Sequence, residues 1–182
     1  SDKDTSLFIV NDAVFFVEQY SKPVFKTTVK NSAKDAMMGD TIKADAQASY
    51  YFGGTLPGAK VEWSVRSQNY FFDPKNYSEY RFGTDSDMMN CIYWGSCSTS
   101  DMLIATSVGT LSDAGIAGYE FAPDFSVSGN TDTTEYDNEI PKEKIVSYTA
   151  KVTDPNTGKT VTATDSTIFH LTDGYVGLQS SY

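Results

Sequence analysis

From Thr41 to Phe52 the chain changes character at every step. Ile42, Ala44, Ala46, Ala48, Tyr50 and Phe52 fall on one side, and Lys43, Asp45, Gln47 and Ser49 on the other. Only an extended backbone, whose successive side chains point to opposite faces, can turn the whole first set toward a core while leaving the second in water. The turn-forming run Gly53-Gly54-Thr55-Leu56-Pro57-Gly58 then interrupts the pattern, and Ala59–Arg66 resumes it with Val61, Trp63 and Val65 against Lys60, Glu62, Ser64 and Arg66. Two alternating runs joined by a Gly/Pro-rich connection read as antiparallel neighbours with one buried and one solvated face.

The same period recurs along the chain. Phe25, Thr27 and Val29 share a face after Pro23, and Val146, Tyr148, Ala150 and Val152 share one within Ile145–Thr153. Asp154-Pro155-Asn156-Thr157-Gly158 supplies a turn, after which Thr160–Leu171 returns as a strand. Its apolar parity slips between Ala163 and Ile168, which predicts a bulge near Asp165-Ser166. Met102–Ile104, Thr106–Leu111 and Ile116–Phe121 read as further strand material, the last two joined by the turn Ser112-Asp113-Ala114-Gly115. Apolar periodicity of the helical kind is not sustained anywhere. The fold expected is all-β: an antiparallel β-sandwich of about seven strands, immunoglobulin- or fibronectin III-like. Thr84–Ser100 reads as an inserted loop, and the acidic stretch Ser126–Glu139 as a mobile one.

At 182 residues and 40% hydrophobic content, such a chain can bury a full core. A formal charge of −10 has the wrong sign for nucleic acid or an anionic membrane surface, and no apolar run is long enough to span a bilayer. Cys91 and Cys97, in Cys91-Ile-Tyr-Trp-Gly-Ser-Cys97, do not have the spacing of a redox or zinc pair. They read as a short-loop disulfide, contributing about 2 kcal/mol in the chain-entropy view, with two free thiols as the alternative. A disulfide would place the protein in an oxidising compartment.

The inventory of reactive groups is thin. His170 is the only histidine and lies in strand-like sequence, where a structural or exposed role is expected; no nearby residue specifies an orienting partner for general-base work. There is no nucleophile elbow, phosphate-binding loop, zinc-protease helix or EF-hand. Asp132, Glu135, Asp137 and Glu139 could supply calcium oxygens, but their spacing matches no calcium loop and a solvated loop is the simpler reading. No catalytic, cofactor or metal residue is therefore assigned, and the chain is read as a non-enzyme. Of the aromatics, Tyr50, Phe52 and Trp63 fall on apolar faces and are assigned to the core. Tyr93 and Trp94, inside the cysteine loop, are the pair least easily assigned there and the first candidates for an exposed binding surface. The glycosylation sequon Asn76-Tyr77-Ser78 sits in what looks like the start of a strand and is discounted.

Several stretches resemble the bacterial alpha-2-macroglobulin family. Phe16-Val-Glu-Gln-Tyr-Ser-Lys-Pro-Val-Phe-Lys26 is similar to the junction that enters a macroglobulin-like domain. Gly39-Asp40-Thr41-Ile42 followed by Ala48–Val65, with Tyr51-Phe52-Gly53-Gly54 at its centre, is similar to that family's second-strand, turn and third-strand signature. Gly109–Gly115 resembles its Gly-Thr-Leu-Asp-x-x-Gly turn, and Tyr148–Asp154 through Tyr175–Leu178 the end of a module and the start of a linker. The resemblance implies residues 1–21 as the end of a preceding module or an added edge strand, 22–172 as a macroglobulin-like sandwich with insertions near 84–100 and 126–139, and 173–182 as a linker to the next module. It implies a non-catalytic structural part of a multi-domain protease trap, extracytoplasmic (periplasmic, envelope-attached or secreted), whose partners are neighbouring macroglobulin-like domains and, through the full-length protein, proteases. The family's thioester motif, Gly-Cys-Gly-Glu-Gln, is absent: Glu18-Gln19 has Phe16 where the cysteine would stand, and neither Cys91 nor Cys97 precedes Glu-Gln. The alternative is an extracellular adhesin or carbohydrate-binding module using Tyr93 and Trp94.

Overall fold

A computed structural model describes residues 24–72, 74–82, 101–125 and 143–179. Three strands, β1 (Phe25–Asn31), β3 (Ile42–Tyr50) and β6 (Ile116–Phe121), form one sheet in the order β1-β3-β6. The other five, β2 (Asp35–Met37), β4 (Lys60–Asn69), β5 (Met102–Thr110), β7 (Lys144–Thr153) and β8 (Thr160–His170), form the second in the order β2-β8-β7-β4-β5. All pairings are antiparallel except that of β2 with β8, which is parallel. The antiparallel sandwich expected from the alternation is thus the fold, with one short parallel strand that no alternation announces.

The buried row of β3 is Ile42, Ala44, Ala46 and Ala48, whereas the buried rows of β4 and β7 carry Val61, Trp63, Val65, Val146, Tyr148 and Val152. Small residues in one sheet leave room for large rings from the other, which is how two inner faces interdigitate at native density. Trp63 is 4% exposed and stacks on Tyr119 of β6 at 5.6 Å. One end of the sandwich is closed by Leu56, Ala59 and Leu111, whose backbones exchange hydrogen bonds. The turn Ser112–Gly115 forms as expected. Gly115 has φ of +73°, and a Cβ there would lie 2.7 Å from the Ala48 carbonyl oxygen, so only glycine fits.

Met102–Ile104 and Thr106–Leu111 are strand as far as Thr110, as expected, and Ala105 joins them into the single β5. Three local expectations are corrected. No bulge occurs at Asp165-Ser166, because β7 and β8 stay in register from Lys144↔Phe169 to Thr153↔Thr160; the irregularity lies instead between β4 and β5, at Val65/Arg66, where Ile104 is passed over. Phe52 is not in the core. The turn after β3 carries it outward to 82% exposure, where it stacks on Tyr50. Residues Lys75–Tyr77 form a single 3-10 turn rather than the start of a strand, with Asn76 exposed.

The apparent slip in β8 has a different cause. Asp165 and Thr167 follow Val161 and Ala163 on the inward row, and they are polar because the chain crosses between sheets beside them. After β1 the backbone leaves the three-stranded sheet and joins the five-stranded one as β2. The Asn31 amide donates to Asp165 Oδ2 at 2.9 Å, and the Asn31 side-chain nitrogen donates to Thr167 Oγ1 at 3.0 Å. Thr167 Oγ1 in turn donates to the Ala33 carbonyl at 2.7 Å, and the Lys34 ammonium pairs with Asp165. These contacts satisfy buried groups that would otherwise cost about 1–3 kcal/mol each.

Burial works against the charge on Asp165, but the hydrogen bonds from Lys34, Asn31 and Ser166 outweigh it and hold the carboxyl below its ordinary value. A depressed folded-state value contributes stability above the unfolded-state pKa, roughly 3.9, that is lost as pH falls through the folded one. Asp165→Asn is therefore expected to destabilise by about 1–3 kcal/mol at neutral pH and to flatten the acid limb of a urea-melt pH series; an unchanged limb would contradict the assignment. Tyr148 carries a fully buried hydroxyl with no hydrogen-bond partner among the described residues, and burial, with Tyr119 second, pushes its ionisation up. Tyr148→Phe is expected to leave stability unchanged or raise it by about 1 kcal/mol in chemical denaturation, whereas Trp63→Ala is expected to cost about 3–5 kcal/mol.

Candidate functional site

The parallel register of β2 on β8 sets Met37 opposite His170 and Asp35 opposite Ile168. The Met38 amide donates to the His170 carbonyl at 2.9 Å, which fixes the end of β8. His170 Nε2 lies 3.1 Å from Asp35 Oδ1, and Nδ1 lies 2.6 Å from the Tyr175 hydroxyl. Nε2–H can donate to the carboxylate, while the phenol beside Nδ1 also hydrogen-bonds the Glu143 carboxylate.

Tyr175 arrives because the chain turns back after β8. Its ring stacks on Phe72 with centroids 3.8 Å apart, and Phe72 meets Phe82 edge-on at 5.2 Å. Gly177 passes under the Phe82 ring so closely that a Cβ would sit 2.7 Å from it. Leu178 and Arg81 then exchange backbone hydrogen bonds of 2.9 and 2.8 Å. Phe72, Pro74, Tyr77, Tyr80, Phe82 and Tyr175 line an open depression of about 390 Å³. Burial first, then the neighbouring Glu143 carboxylate, which accepts a hydrogen bond from the phenol, pushes Tyr175 up to about 12.

A histidine between a carboxylate and a phenol invites an acid–base reading, yet both ring nitrogens are already engaged and the Asp35 side chain is 68% exposed. The depression lies on the ring side of Tyr175 and is not lined by His170. What the arrangement does physically is clasp the segment after β8 to the end of the sandwich. The sequence predicts a structural or exposed role for His170 and no orienting partner, whereas the structure sets Asp35 and Tyr175 against its two ring nitrogens. Tyr175 was missed because it sits in a stretch with no periodicity, assigned to a linker.

Cys91, Cys97, Tyr93 and Trp94 lie outside the described residues, as do Asp132, Glu135, Asp137 and Glu139. Among the described residues, no three His, Cys, Asp or Glu side chains are grouped to hold a metal ion, and no helix is long and apolar enough to cross a membrane.

The fold is an all-β sandwich of the immunoglobulin and fibronectin III kind. No family model matches the chain. A 69-residue stretch, 38% of the chain, is 32% identical to an alpha-2-macroglobulin homolog of Nostoc sp., and it spans 4% of that protein. In fold, the chain overlays native Escherichia coli alpha-2-macroglobulin with a TM-score of 0.63 at 12% identity, covering 91% of this chain and 9% of the other. It overlays Salmonella alpha-2-macroglobulin reacted with methylamine with a TM-score of 0.61, also at 12% identity, covering 86% and 9%. The chain thus resembles the bacterial alpha-2-macroglobulin family in sequence over part of its length and in fold over most of it, and it spans a small fraction of those proteins.

Tyr175→Phe keeps the stack and loses the hydroxyl's contacts with His170 and Glu143, an expected cost of about 1–2 kcal/mol; Tyr175→Ala loses the stack as well. Amide exchange at Arg81 and Leu178 should rise modestly in the first variant and strongly in the second. Equal exchange in all three proteins would contradict the clasp.

Proposed function

We propose that this chain is a non-catalytic structural module of a larger, extracytoplasmic, alpha-2-macroglobulin-like protease trap. The observation that carries the reading is the combination of near-complete fold overlay on this chain with coverage of only 9% of the E. coli protein, backed by the 32% identity to the Nostoc homolog. A piece of that size with its own core is what one bead of a multi-module chain should look like. Its work is then mechanical. The sandwich presents edges and ends to sibling modules, and the clasp at Tyr175 sets the direction in which residues 173–182 lead toward the next one. One of the solved relatives is E. coli alpha-2-macroglobulin activated by porcine elastase; by analogy, proteases would meet this module through the longer protein, where moderate interfaces between modules permit rearrangement after cleavage. Cys91 and Cys97 would form a local disulfide in that compartment.

The test uses elastase-type protease with the 182-residue chain and with the longer protein that contains it. The expected result is that the chain alone leaves protease activity on a large substrate unchanged, while the longer protein suppresses it after being cut. Suppression by neither, or hydrolysis of substrate by the chain itself, would overturn the reading. Intact mass before and after a mild reductant should show a gain of two hydrogens, localised by peptide mapping to Cys91–Cys97; no gain would remove the disulfide.

A further inference from the structure

The two long sides of the sandwich differ. On one side β1 and β2 straddle β8, joined by the Asn31–Thr167 contacts. On the other, β5 ends the five-stranded sheet and β6 ends the three-stranded one, each paired on a single side among the described residues. An unpaired edge is a row of free backbone donors and acceptors that proteins ordinarily blunt with charge, proline or shortness. Here β1 carries Lys26 and Lys30, β2 is only three residues long, and β6 carries Glu120. The nine residues of β5, Met-Leu-Ile-Ala-Thr-Ser-Val-Gly-Thr, contain no charge and no proline. Its exposed side chains are Met102 (43%), Leu103 (49%) and Val108 (66%), together with the uncharged Thr106 and Thr110.

Beside this edge lies a cavity of about 320 Å³ between β5 and β6, floored by Trp63 and Tyr119. It exists because the inward positions along its rim are small: Ser107, Gly109 and Ala117. A Cβ built on Gly109 would meet nothing within 4 Å. The space has room for one side chain entering from outside, between the hydroxyls of Ser107, Thr110 and Ser112 and above the Trp63–Tyr119 pair.

Resting on the module reading above, we propose that β5 is a docking edge that accepts an extended segment of a neighbouring module of the same longer chain, adding a strand to the five-stranded sheet and seating one of its side chains in the cavity between β5 and β6. Strand addition uses the free backbone for affinity and the pocket for selection. A second copy of this chain is a poorer occupant, since each carries a formal charge of −10 and the pair would repel. The same charge favours a segment that is neutral or basic. The solved relatives leave about nine-tenths of their length outside the overlay, ample chain to supply it.

Hydrogen exchange at Leu103–Thr110 decides the matter when measured on the 182-residue chain and on the longer protein. Alternate β5 amides should exchange at least about tenfold more slowly in the longer protein, and Val108→Lys, at an exposed position, should return them to the rate of the shorter chain. Equal β5 rates in both proteins, with protection gained on other faces, overturn this inference and leave the module reading standing. Equal rates everywhere count against both. Concentration-dependent β5 protection in the 182-residue chain alone would assign the edge to self-association and overturn the proposed occupant.

Discussion

Where the chain leaves one sheet for the other, between Asn31 and Asp35, a set of polar side chains must replace the backbone ladder that either sheet would have supplied. Asn31, 5% exposed, and Thr167, fully buried, meet there at 3.0 Å, Asp165 accepts from the Asn31 amide and the Ala33 carbonyl from Thr167, while Asn31 Oδ1 is left without a partner among the described residues. This crossing has consequences at a distance. It places β2 alongside β8, which brings Asp35 to His170 and so orients the ring that receives Tyr175. It also ties β1 to β8 on one flank, so the only long and unguarded edge among the described strands is β5 on the other. A crossing lined with apolar residues would strand several backbone groups in the core, at a cost comparable to a large part of a domain's net stability.

The core proper is simpler. Alanines at 44, 46 and 48 on β3 allow Trp63 and Tyr148 to fill the layer between sheets, and the division of small against large explains why a modest hydrophobic fraction suffices. The orphan hydroxyl of Tyr148 shows that shape, more than polarity, sets the residue at that position. Asp154, also fully buried, is the counterexample. It accepts from the Asn156 amide and the Thr157 hydroxyl, and these bonds, against the cost of burial, hold its carboxyl low and fix the β7–β8 turn.

Strands with one wholly apolar face were legible in the sequence. β3, β4 and β7 announce themselves because each alternates for at least four residues without interruption. β8 misled because Asp165 and Thr167 are inward yet polar, and their partners are more than a hundred residues away, beyond the reach of any local pattern. β2 is three residues long and parallel, so neither alternation nor a hairpin turn marks it. Phe52 continues the parity of β3 in sequence but lies beyond its end at Tyr50, inside the turn closed by the Gly53 amide on the Tyr50 carbonyl. The candidate site was the least visible part. His170 could be noticed as the lone histidine, but Tyr175 gains its role only from a return of the chain onto Phe72 and Phe82, for which composition carries no signal. The family likeness was the most informative reading, because the Gly39–Val65 stretch is specific where single strands are generic.

The dependence of this fold on its crossing is most directly measured by a double-mutant cycle between Asn31→Ala and Thr167→Val in equilibrium denaturation. A coupling energy of about 1 kcal/mol or more is expected for two buried groups in one network. Costs that add to within about 0.3 kcal/mol would mean that the two sides of the crossing do not sense each other, and the explanation given for the polar row of β8 would be wrong.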